Sequence, residues 1–182
     1  MCYAHTMIKP QDLSLSTLFA AYPNVSWPYA KLAAKLHISV SESHASVQRC
    51  LAAGFLYKSE GKIRLNPIVY SRFIEHGLPY VWPIEIGPVR TGLYAAYSAP
   101  ALQKIFAHSD RPENNLLWPL ENGPDYASSI EPIHPSIPKI SAEDPLLYAW
   151  FAWMEVFRLR RPRLIHEGRR WIEAALDIEQ AA

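Results

Sequence analysis

The chain has 182 residues, 49% of them apolar, and 18 Lys plus Arg against 17 Asp plus Glu give a net charge of +1. That balance excludes a strongly basic nucleic-acid coat protein and an acidic disordered chain, and the length accommodates one domain or two small ones. No run approaches the ~18 apolar residues of a membrane span, and the opening MCYAHTMIKPQDL has no apolar signal core, so a cytoplasmic location without a membrane partner is expected.

The first stretch, residues 1–77, reads as helices followed by one hairpin. Pro10 suits a first helical position, and Leu13, Leu15, Leu18 and Phe19 recur at helical spacing until Pro23. Ser26 is the expected cap of a second helix that turns Tyr29, Leu32, Ala33 and Leu36 inward and leaves Lys31 and Lys35 wet. Ser39 with Glu42 three residues later fits a capping box, opening a third helix through Val47, Cys50 and Leu51 to Gly54, its left-handed stop. Phe55-Leu56-Tyr57 and Ile63-Arg64-Leu65 then form a hairpin, and Asn66-Pro67 starts a helix that Gly77 closes. Up to His76 there are eight basic and four acidic residues, whereas the remainder carries 10 basic and 13 acidic, so the first part is mildly positive.

The segment LAAKLHISVSESHASVQRCLAAGFLYKSEGKIRL resembles the winged helix-turn-helix of bacterial regulators of the MarR and ArsR type, over roughly residues 10–76. The resemblance implies a helix laid in the major groove and a wing along the phosphates. It carries DNA contact onto Ser41, Glu42, His44, Ala45, Gln48 and Arg49, with Lys58, Lys62 and Arg64 on the wing. Lys31 and Lys35 would add phosphate contacts, and an operator binder of this kind is expected to be a homodimer on double-stranded DNA. Such a module can also serve as a protein-docking or dimerisation unit.

The second part, residues 78–182, starts with a proline-rich stretch. Against 7 Gly the chain has 16 Pro, ten of them between Pro79 and Pro138, which excludes long helices there apart from a short one over Pro100–Ala107. A phrase repeats: Trp82–Pro88 and Trp118–Pro124 both read WPxExGP, thirty-six residues apart. Each copy is expected to be a strand-turn-strand unit, the two related by a pseudo-twofold. Their Trp rings would fill a core, or Trp82 and Trp118 would wall a small-molecule pocket with Glu85 and Glu121 facing each other.

No phosphate loop, GxSxG elbow, HExxH or paired CxxC is present, and Cys2 and Cys50 make no disulfide framework; no cofactor, metal or enzymatic activity is expected. His108-Ser109-Asp110 reads as polar loop, and EPIHPSIP, residues 131–138, as an extended strap. Two helices complete the chain. Ser141 is the expected cap of the first, whose run from Leu146 to Phe157 is apolar nearly all round and calls for cover such as a partner subunit. Arg158, Arg160, Arg161, Arg163, Arg169 and Arg170 form the densest basic cluster, assigned to solvated helix ends. The fold class expected is α+β, with a winged helix-turn-helix, a small Pro-rich β region and a C-terminal helical hairpin that dimerises the chain or receives a signal. The function expected is a DNA-binding transcriptional regulator; the alternative is an interaction protein, such as an antitoxin-like or defence-system accessory.

Overall fold

A computed structural model describes residues 7–107 and 109–178, so Cys2 and His108 lie outside the described residues. The fold is mixed α+β and divides into two compact units, one ending at Ser71 and the other starting at Arg72.

In the first unit, α1 (Pro10–Ala21) starts with proline at its first position, and the Asp12 carboxylate accepts the Lys9 backbone N–H at 2.8 Å. Every residue from Asp12 to Ala20 is buried, polar ones included. The Ser16 and Thr17 hydroxyls are satisfied on backbone carbonyls one turn earlier, at 2.9 and 2.8 Å. Helix α2 (Tyr29–Leu36) is capped by Pro28 rather than by Ser26, and it ends on His37 in the left-handed conformation, φ 54°. Helix α3 (Val40–Ala52) has the Ser39 hydroxyl accepting from the Glu42 N–H at 3.0 Å. Leu32, Leu36, Val47 and Cys50 pack inward, and the buried Ser43 hydroxyl donates to the Tyr29 carbonyl at 3.0 Å, which joins α3 to α2.

Strands β1 (Leu56–Ser59) and β2 (Lys62–Leu65) pair antiparallel around Glu60-Gly61. Both turn residues have positive φ, 51° and 72°, the arrangement that matches the strand twist of a two-residue hairpin. Helix α4 (Pro67–Arg72) does not stop at Gly77 as its sequence suggests. It passes into a π-helical turn, Phe73–Gly77, and then into α5 (Leu78–Val81), whose proline sits at an early position where its missing N–H costs nothing.

The second unit is built on β3 (Ile86–Tyr94), β4 (Leu116–Pro119) and β5 (Asp125–Ile130). Each strand pairs with the other two: β3 antiparallel to both, β4 parallel to β5 through Leu116↔Ser128 and Leu117↔Ser129. Closure this tight needs glycine. A Cβ on Gly92 would lie 2.1 Å from the Trp118 carbonyl oxygen, and one on Gly123 would lie 2.3 Å from that of Gly92.

The strap expected at 131–138 is instead bends leading into α6 (Ile137–Glu143), with Ile133, Ile137 and Pro138 buried. Helix α7 (Pro145–Arg158) is capped by Asp144, whose carboxylate accepts from the Leu146 and Leu147 N–H groups at 3.0 Å, and not by Ser141. Most of its apolar surface is covered within its own unit, Leu146 being the exposed exception. Trp118 lies 5.9 Å from Tyr148, Trp171 of α8 (Pro162–Ala175) packs on Trp150 and Trp153 at 4.6 and 5.3 Å, and Gly168 lets α8 approach Phe157. Among the described residues no helix is long and apolar enough to cross a membrane.

Candidate nucleic-acid interface

The candidate surface is built by α2, the left-handed His37 turn, α3 and the hairpin. Along α3 the residues on the outer face are Val40, Ser41, His44 and Gln48, with Ala45 half-buried between them. Val40 is 53% exposed although apolar. His44 stands edge-on to Tyr29 at 4.9 Å, so its ring is held rather than swinging freely.

Arg49 departs from expectation. Its guanidinium grips the fully buried Asp12 carboxylate of α1 with two hydrogen bonds of 2.7 Å and touches Glu42 at 2.6 Å, leaving its side chain 10% exposed. Ser46 donates to the same carboxylate at 2.5 Å. The reason is electrostatic. A carboxylate taken out of water demands charged or hydrogen-bonding partners, and α3 supplies both from its inner face. Arg49 is therefore an internal support of the helix pair rather than an outward-facing side chain, and Glu42, half-buried, is tied to it and accepts from Gln11 at 2.8 Å. These contacts hold Arg49 charged, and they hold the Glu42 carboxyl below its ordinary range. Cys50, beside the network, donates to the Asp12 carbonyl at 3.4 Å, and burial pushes its thiol up to about 12, so it carries no thiolate chemistry.

On the hairpin, Lys58, Lys62 and Arg64 are exposed, and among the described residues none has a carboxylate partner. Register places Arg64 opposite Tyr57 and Lys62 opposite Ser59, one face of the ribbon, while Lys58 opposite Ile63 belongs to the other. Lys62 and Arg64 also edge a cleft of about 350 Å³ closed by Phe19 and the 23–28 loop. Lys31 lies over the ring of Trp27 in that loop, 5.0 Å from its centroid, and Lys35 is half-buried.

The pocket expected from the WPxExGP pair does not form. Trp118 is fully buried and donates from its indole N–H to Glu155 at 3.1 Å, whereas Trp82 ends α5. The two copies take different structures, one leaving a helix and the other leaving a strand, because Trp118-Pro119 is recruited into β4. Glu85 and Glu121 are both exposed, and Glu121 borders only a shallow depression with Arg90 and Thr91. Of the C-terminal arginines, Arg158 is not solvated but buried: it donates to Glu155 at 2.5 Å and to the carbonyls of Trp82, Pro83 and Glu131 at 2.8, 3.2 and 3.0 Å. Among the described residues no group of three or more His, Cys, Asp or Glu side chains is placed to hold a metal ion. No family model, curated protein or solved structure matches the chain.

The partners of Arg49 and Arg158 escape a sequence reading, since Asp12 reads as a first-turn acid of α1 and Glu155 sits inside an apolar helical run where nothing local marks it. The only signal is a lone carboxylate within such a run, which requires a cation from elsewhere.

Proposed function

We propose that the first unit is a winged helix-turn-helix module and that the chain is a DNA-binding transcriptional regulator acting as a dimer. The observation that carries this reading is the pairing of an exposed polar face on α3 with three cations on the adjoining hairpin that have no carboxylate partner among the described residues. Ser41, His44 and Gln48 would face base edges in the major groove, where Gln matches adenine, and Lys58, Lys62 and Arg64 would follow phosphates. Removing Arg49 and Glu42 from the reading set leaves its net charge unchanged but takes away its one guanidinium, which shifts affinity onto the hairpin. A dimer with recognition helices about 34 Å apart would double that footprint.

Fluorescence anisotropy with a duplex from the protein's own upstream region tests the reading. The chain should prefer that duplex to a scrambled one of equal length, and replacing Ser41, His44 and Gln48 together by alanine should remove the preference. Equal binding of both duplexes by the parent chain defeats it.

A protein-docking role for the same unit is favoured by Val40, Tyr57 and Ile68, apolar groups that are 53%, 45% and 51% exposed. Co-purification of one stoichiometric protein partner, lost on Tyr57→Ser, together with absence of DNA binding, would decide for it.

A further inference from the structure

The second unit carries a cleft of about 290 Å³ that the DNA-binding reading does not use, bordered by His76, Tyr80, Arg160, Ile165 and the Glu75–Arg169 ion pair. Three observations set it apart from ordinary surface. First, Glu75 and His76 come from the π-helical turn, a costly backbone irregularity that recurs at functional positions. Second, Arg160 follows the end of α7 with φ 52°, where glycine is the ordinary occupant, so a long cationic side chain is kept at a position that strains its backbone. Third, the charges do not cancel. Arg169 donates to Glu75 at 2.7 Å and neutralises it, while Arg160 has no carboxylate partner among the described residues and lies over the Tyr80 ring at 5.8 Å. Tyr80 is 73% exposed, a large aromatic ring kept at the surface beside that cation.

We propose that this cleft binds a small organic oxyanion, a carboxylate or phosphate monoester with an apolar body: Arg160 receives the charged end, and Tyr80 and Ile165 flank the body. A guanidinium held over an aromatic ring is biased in position before the ligand arrives, which lowers the ordering cost of forming a two-pronged contact to an oxyanion. The size of the cleft suits a ligand of one ring or a short chain.

The test is an NMR titration of the full chain with phenylacetate, phenyl phosphate and inorganic phosphate as separate probes. Saturable shifts centred on Tyr80, Arg160 and Ile165 are expected with at least one of the two phenyl probes. A response to phenylacetate alone assigns carboxylates, to phenyl phosphate alone phosphate esters, and to both the shared oxyanion. Inorganic phosphate, which lacks a body for Tyr80 and Ile165, should bind more weakly than the better phenyl probe. Arg160→Gly relieves the positive φ, so the thermal midpoint should hold or rise while affinity falls about tenfold or more, the size of one charge-assisted hydrogen bond. Tyr80→Ala, at an exposed position, should keep the fold and weaken binding several-fold. Absence of saturable shifts with either phenyl probe, or unchanged affinity in Arg160→Gly, overturns the proposal. Neither result bears on DNA binding by the first unit.

Discussion

Each unit is held around one arginine and one fully buried carboxylate, and the two arrangements solve different problems. In the first unit Arg49 and Asp12 join two regular helices whose backbone groups are already paired, so the ion pair sets the position of α3 against α1. In the second, Arg158 gives Glu155 one of its donors and spends the rest on carbonyls of residues 82, 83 and 131. All three of those carbonyls precede or belong to proline residues, in a stretch where proline has removed the N–H groups that would form a ladder. One arginine there does the work that backbone N–H groups do elsewhere. The proline excess therefore has a structural counterpart, an internal cation that satisfies the backbone that proline leaves irregular.

The comparison predicts unequal costs. Arg158→Met leaves Glu155 buried with the Trp118 N–H as its remaining side-chain donor and strands three carbonyls, so a loss of about 3–5 kcal/mol is expected in urea denaturation. Arg49→Met leaves Asp12 its bonds from Ser46 and the Lys9 N–H, and the expected loss is about 2–3 kcal/mol. A smaller loss for Arg158→Met than for Arg49→Met would break the distinction.

Acid sharpens it, because the two carboxylates at the arginines' flanks shift in opposite directions. Arg49 and Gln11 hold Glu42 below its unfolded value of 4.5, so its contribution is present above that value and is lost as pH falls through the lower folded one. Burial raises Glu155, against the pull of Arg158 and Trp118, so its contribution becomes more favourable as pH falls through the raised folded value. Stability measured from pH 7 down to about 3 should show a deficit of Glu42→Gln that holds above 4.5 and shrinks below it, while Glu155→Gln compares best with the parent at pH 7 and worse towards 4.5. Parallel pH trends for the two variants would contradict these assignments.

Much of the first unit was legible because its signals are local. The Leu13–Phe19 spacing, the Ser39 cap, Gly54 at φ 77° and the turn residues Glu60-Gly61 each act within four residues, and the elements follow them. The inward turn of Arg49 was not legible, since its partner lies 37 positions earlier on another helix. The cap of α7 is by contrast a local matter, Asp144 directly before Pro145 outcompeting Ser141, whereas distance again hid the fate of the repeated phrase. The shared phrase at 82–88 and 118–124 takes different structures because long-range pairing of β4 decides one of the copies. Of the candidate site, the hairpin cations and the outer α3 residues were readable by period and turn, whereas the cleft around Arg160 depends on a π-helical turn that no sequence pattern announced.

The central claim is that the hairpin supplies the phosphate contacts while the outer face of α3 supplies the reading. It is tested most directly by the salt dependence of duplex binding, comparing the parent chain with the combined Lys58→Ala, Lys62→Ala, Arg64→Ala variant. Each lost phosphate contact lowers the slope of log K against log salt by about 0.9, so a drop of roughly 2–3 is predicted. A variant whose slope equals that of the parent, or a parent whose affinity ignores salt, would contradict the account.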